Sequence, residues 1–121
     1  MRSMKGLVLL GTIIILFLPT LSVALEPEQE VQALVAAVEE SGCTFHRNGG
    51  THDSAAAADH MRLKLRRGKR YAKTAEDFIE NLATKSSWTG RLYRIECAAG
   101  QPEPLNEWLT ARLVTLRNGN Q

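Results

Sequence analysis

Cys43-Thr44-Phe45-His46-Arg47-Asn48-Gly49-Gly50 and the later stretch Leu92-Tyr93-Arg94-Ile95-Glu96-Cys97 decide the fold. In the second, Tyr93, Ile95 and Cys97 alternate with Leu92, Arg94 and Glu96, the two-residue period of a strand. The first is a short extended piece closed by Asn48-Gly49, a pair that tolerates the positive φ angles of tight turns. Each stretch carries one of the chain's two cysteines. An even count in an exported chain favours a bridge over free thiols. A Cys43–Cys97 disulfide would set the two pieces side by side as an antiparallel pair. The cysteines are too far apart in sequence for a thioredoxin-like redox motif. Closing a loop of about 55 residues contributes on the order of 4 kcal/mol, against a total of about 5 to 10 kcal/mol for a domain of this size.

Helices surround these strands. Val31, Leu34, Val35 and Val38 recur at helical spacing over 27–41, with Pro27 in the first turn and Gly42 placed to end it. The early glutamates complement the positive end of that helix's dipole. A second helix is expected from Thr51 or Asp53, both competent caps, to Arg67, with Ala58, Met61 and Leu65 on one stripe and Gly68 as its stop. Thr74 caps a third, with Asp77 reaching back as in a capping box and Ala75, Phe78, Ile79 and Leu82 inward. The last opens with Pro104 in its first turn and carries Leu105, Trp108, Leu109, Leu113 and Leu116 on one side. The expectation is a small, mostly helical α+β domain: about four helices and a short two-stranded antiparallel sheet, stabilised by the disulfide.

The N-terminus reads as a secretory signal. Arg2 and Lys5 precede an uncharged run from Gly6 to Leu18, Pro19 breaks it, and Ser22-Val23-Ala24 offers small residues for cleavage. The alternative is a retained membrane anchor, since Gly6 to Leu25 is long enough to span a bilayer; Pro19 and the Ser-x-Ala site argue for cleavage. The expected organisation is a signal peptide over 1–24 and one mature domain over 25–121, located in the periplasm and not inserted in the membrane. Arg2 and Lys5 supply the whole formal charge of +2, so the mature chain is formally neutral. A nucleic-acid-binding protein normally carries a basic excess, so no nucleic-acid partner is expected. The charges are nonetheless segregated. Glu26, Glu28, Glu30, Glu39 and Glu40 crowd the start, and Arg62, Lys64, Arg66, Arg67, Lys69, Arg70 and Lys73 the middle, as two solvated faces able to attract each other.

Four polar features stand out: Arg47-Asn48-Gly49, His52, the pair His60 and Lys64, and Ser86-Ser87 with Thr89-Gly90. His60 and Lys64 are four apart and share a helix face. A neighbouring ammonium favours the neutral imidazole, and the pair suits an anionic or carbonyl ligand; the structural alternative is a half-buried histidine bonded to backbone. His46, His52 and His60 lack a metal-ligand spacing, so no metal or other cofactor is expected. Ser86 and Ser87 lack a GxSxG elbow or an SxxK pattern.

These residues also carry a family pattern. Phe45-x-Arg47-Asn48-Gly49, Ala57-x-x-His60-x-x-x-Lys64, Thr74-Ala75-x-x-Phe78-Ile79 and Ser86-Ser87-x-Thr89-Gly90-x-x-Tyr93-x-Ile95 resemble the YfeK-like family of small bacterial periplasmic proteins, over nearly all of the mature chain. One departure is Ala55, where relatives often place an aromatic. The resemblance implies export in a bacterium with an outer membrane and supplies no activity, the family being uncharacterised. It marks polar residues on turns and helix faces, where packing alone rarely fixes identity. Arg47, Asn48, His60, Lys64, Ser87 and Thr89 form one ligand site if the strands are adjacent and the second helix lies across them. The rival account has Arg47 and Asn48 satisfying loop carbonyls while Ser87 and Thr89 shape a turn.

The leading functional expectation is a non-enzymatic periplasmic binding or interaction module whose polar site takes an anionic group, its partner an envelope protein or a small anionic ligand. The first alternative is a small hydrolase with His60 as base and Ser87 as nucleophile. The second is a structural or chaperone-like envelope protein, marked by an exposed apolar patch.

Overall fold

In a computed structural model, which describes residues 6, 10–18, 24–98 and 100–119, Cys43 and Cys97 are bridged with their Cα atoms 4.5 Å apart. The elements are α1 (Pro27–Glu40), β1 (Thr44–Arg47), β2 (Gly50–His52), α2 (Ser54–Gly68), a 3-10 turn (Lys69–Tyr71), α3 (Ala75–Leu82), β3 (Arg94–Glu96), β4 (Glu103–Pro104) and α4 (Leu105–Gly119). Arg2, Lys5, Pro19, Ser22 and Val23, on which the signal reading rests, lie outside the described residues. The described part of the apolar run, 10–18, is exposed and forms no helix or strand. Among the described residues no helix is long and apolar enough to cross a membrane.

The expected helices form where their caps and stripes put them. Pro27 opens α1, and Gly42 follows it at a positive φ of 64°. Asp53, not Thr51, caps α2, its carboxylate accepting from the Ala56 amide at 2.8 Å. Thr74 accepts from the Asp77 amide at 3.0 Å, but the return bond from Asp77 that a capping box needs is not formed. Such a return bond occurs at α1, where Gln29 accepts from the Glu26 amide at 3.0 Å.

The sheet has four strands rather than two, in the order β2-β1-β3-β4, every neighbouring pair antiparallel. The β1–β3 pair is the expected one, with Thr44 opposite Glu96 and Phe45 opposite Ile95. The other two strands are edges of two or three residues. Asn48 and Gly49 both adopt positive φ, 51° and 80°, so the chain reverses within two residues and β2 pairs back onto β1 before α2 begins. Pro104, expected in the first turn of the last helix, instead pairs with Arg94 in β4, and α4 starts at Leu105. A proline suits an edge strand, where it owes no ladder donor.

Phe45 and Ile95 face the helices, and their burial is nearly complete. They join Val31, Leu34, Val35 and Val38 of α1, Phe78, Ile79 and Leu82 of α3, and Leu105, Trp108, Leu109 and Leu113 of α4 in one core. α1 packs against the other three helices. The segregated charges meet as expected: Arg62 of α2 pairs with Glu39 of α1, and Lys69, in the 3-10 turn that follows α2, approaches Glu28 of α1 at 4.0 Å.

Candidate functional site

The β period explains how the site is placed. Arg47 lies two residues beyond Phe45 and so shares its inward face. Continuing the β1–β3 register by one step sets Arg47 across from Tyr93, itself two residues from Ile95. At that end of the sheet α2 crosses, presenting His60 and Lys64 from one face. Four polar side chains therefore meet where the apolar core runs out.

Their hydrogen bonds fix their roles. Arg47 Nη1 lies 2.8 Å from His60 Nδ1 and 3.1 Å from Nε2. A guanidinium can only donate, so Arg47 donates to the ring, more closely at Nδ1 than at Nε2. His60 Nε2 is 3.4 Å from Tyr93 Oη. Lys64 Nζ donates to Tyr93 Oη at 3.0 Å and to the Lys85 carbonyl at 3.1 Å. The phenol oxygen thus accepts from Lys64, and the ammonium, with two of its three N–H groups used, keeps one spare.

The electrostatics agree with that bonding. Burial, then the charge of Arg47, then Lys64 and His52, lower the His60 pKa to about 4. Burial and Arg47 also lower Lys64. Burial raises Tyr93 against the opposing pull of Arg47, so it stays a phenol. These groups border a cleft of about 750 Å³ whose walls include Arg47, Asn48, Lys64, Arg67, Tyr71, Asn81, Ser87, Trp88 and Tyr93. No aspartate or glutamate lines it. The array holds positive charge and donors without an internal counter-ion.

Of the six residues expected at the site, Arg47, Asn48, His60, Lys64 and Ser87 line this cleft, and Thr89 does not. Asn48 and Thr89 bond each other: Thr89 Oγ1 donates to Asn48 Oδ1 at 2.6 Å, while Asn48 Nδ2 donates to Ser86 Oγ at 3.3 Å. These bonds clamp the 84–93 loop to the β1–β2 hairpin through side-chain oxygens of Ser86 and Thr89. Ser86, buried to 5 % exposure, also accepts from the amides of Trp88 and Thr89 at 3.3 and 3.4 Å. No hydrogen bond joins His60 to Ser87; the ring nitrogens of His60 are engaged by Arg47 and Tyr93. Among the described residues no group of three His, Cys, Asp or Glu side chains is arranged to hold a metal ion.

Sequence reasoning missed Tyr93, Arg67 and Trp88 as parts of the site. Tyr93 carried a usable signal, because a tyrosine on an inward strand face needs a partner for its hydroxyl. Arg67 is one of many basic residues in its stretch, and nothing local separates it from its solvated neighbours.

Comparison with known proteins gives a relative and a family but no activity. A model described as a family of unknown function, DUF5329, matches residues 25–117. The chain is 36% identical over 92 residues to the uncharacterised protein YfeK of Salmonella typhimurium, covering 74% of this chain and 77% of that protein. No solved structure matches.

Proposed function

The chain belongs to the DUF5329 family of unknown function, and since membership brings no activity with it, we propose from the cleft that this is an exported, periplasmic, non-enzymatic binding module for an anionic group. The observation that carries the reading is the lining itself: Arg47, Lys64 and Arg67 with no carboxylate among them. Elsewhere in the fold Arg62 pairs with Glu39, Lys69 with Glu28 and Arg117 with Glu30 and Glu76. An anion entering the cleft would meet a spare Lys64 N–H, the Tyr93 hydroxyl and the guanidinium of Arg47, held before it arrives. Charge-assisted bonds of this kind are the strong ones. The signal-like N-terminus and the disulfide support an oxidising compartment.

Thermal-shift titration tests the reading with phosphate and citrate as probes, against sodium chloride at matched ionic strength. Both anions should raise the melting temperature of the purified protein saturably. Arg47→Gln and Lys64→Gln should each weaken the effect about tenfold, the loss of one charge-assisted bond worth about 1.4 kcal/mol. Equal stabilisation of the wild type and both variants would place the anion elsewhere and remove the proposal.

A further inference from the structure

Resting on the anion-binding reading, we propose that the anion is carried on a sugar ring, and that Trp88 is the platform on which this acidic saccharide stacks. Trp88 is 97% exposed, whereas the other tryptophan, Trp108, is 9% exposed. Tyr71, Tyr93 and Trp108 each have a cation stacked on the ring, from Arg70, Lys64 and Arg112 at 4.7, 4.8 and 4.7 Å to the ring centroid. Among the described residues no cation stacks on Trp88.

The ring is exposed without being loosely held. Its loop is a tied hairpin: Ser86 N donates to the Arg91 carbonyl at 2.9 Å, Tyr93 N to that of Thr84 at 3.0 Å, and Gly90 N to that of Ser86 at 3.0 Å. Ser86 Oγ holds the Trp88 amide from below, and Asn48 fastens the loop to the neighbouring hairpin. A ligand meeting Trp88 would not first have to order the backbone that carries it, which removes one cost of binding.

Three chemistries adjoin in this cleft, and an acidic sugar needs all three. The electron-rich face of an indole attracts the C–H hydrogens on the flat side of a pyranose. Ser87 and Asn81 bring hydroxyl and amide groups suited to ring hydroxyls. Lys64 and Arg67 supply charge for a carboxylate or phosphate substituent. The volume, about 750 Å³, falls among sites for small ligands, which run from about 300 to 1,000 Å³. A simple anion would leave Trp88 unused. Single-stranded nucleic acid also combines stacking with cations, but it runs along an extended basic track, and the chain beyond residue 24 is formally neutral.

Calorimetric titration, which reads wild type and variants alike, gives the affinities, and intrinsic fluorescence reports the stacking, since the exposed Trp88 should sense a ring and the buried Trp108 should not. The probes are digalacturonate, N-acetylmuramate and N-acetylneuraminate as acidic sugars, lactose as a neutral one, phosphate as an anion without a ring, and an oligothymidylate. At least one acidic sugar should bind about tenfold or more tighter than both phosphate and lactose, with a blue shift of the Trp88 emission. Trp88→Ala, a change at a solvent-exposed side chain, should bring that sugar down to the level of phosphate while phosphate binding holds within about twofold. Acidic sugars binding no better than phosphate, an unchanged affinity in Trp88→Ala, or tighter binding of the oligothymidylate would each overturn the saccharide inference and leave the anion site standing. Phosphate failing to bind the wild type at all would overturn both.

Discussion

His60 shows how far a single side chain can be pushed by what surrounds it. A free imidazole has a pKa of about 6.5, and the surroundings of His60 lower its own to about 4. Burial penalises the imidazolium first, and the cations Arg47 from β1, Lys64 from α2 and the nearby His52 add to that penalty. Between those two values the unfolded chain binds more protons than the native one, so unfolding free energy rises with pH across the window. This contribution is complete above about pH 6.5 and lost as pH falls toward about 4. Because the ring is only partly buried, solvent screening reduces it to about 1 to 2 kcal/mol. Urea denaturation of the wild type at about pH 7.5 and about pH 5 should show most of that loss, and His60→Gln should show a smaller one. Parallel losses in the two proteins would assign the effect to other groups. The pairing of His60 with Lys64 was legible because a four-residue spacing on a helix is a geometric fact. Alternation along the strand pointed Tyr93 inward and so called for a partner to its hydroxyl, but it did not say that the partner would be His60 or Lys64.

Among the elements, the helices announced themselves and half of the sheet did not. α1, α2 and α3 each have a cap or first-turn proline, and α4 has an apolar stripe; α3, for example, buries Ala75, Phe78, Ile79 and Leu82 as its spacing requires. By contrast β2 is Gly50–His52 and β4 is Glu103–Pro104. Neither has an apolar alternation to read, because such edges are held by the backbone of the strand beside them. Asn48 links the two levels: its backbone makes the turn to β2 at a positive φ of 51°, and its side chain grips Ser86 and Thr89. Replacement by glycine keeps the turn and removes the grip. Asn48→Gly should cost about 1 to 2 kcal/mol and speed amide exchange at Trp88 and Thr89. Asn48→Ala should cost about 1 kcal/mol more, for holding a Cβ in the left-handed region. Urea melts and hydrogen exchange of the three proteins separate the contributions. A glycine variant as stable and as protected as the wild type would show that the clamp carries no weight.

Across the whole molecule, one antiparallel ladder carries the staple at one end and the candidate site at the other. The register that pairs Thr44 with Glu96 and Phe45 with Ile95 runs on to Cys43 and Cys97 in one direction and to Arg47 and Tyr93 in the other. A slip of one residue would turn Phe45 and Arg47 outward together, so the core and the site depend on the same alignment. The bridge spans a sequence separation of 54, and opening it should cost about 4 kcal/mol by releasing the unfolded chain. The register has other guardians, however: the buried Phe45 and Ile95, the Asn48-Gly49 turn, and Arg117 of α4, which donates to Glu30 of α1 through Nε and Nη2 at 2.8 and 3.0 Å. Stability and site geometry should therefore separate. In urea, Cys43→Ser/Cys97→Ser should unfold at a clearly lower midpoint than the oxidised wild type, with a steeper slope because the released unfolded chain exposes more surface, and the wild type in dithiothreitol should match it. Without urea, the folded variant should bind phosphate within about twofold of the wild type, because the groups that meet the anion lie at the far end of the ladder from the bridge. Loss of binding in a variant that still melts cooperatively would show that the disulfide, not the packing of Phe45 on Ile95, holds Arg47 across from Tyr93.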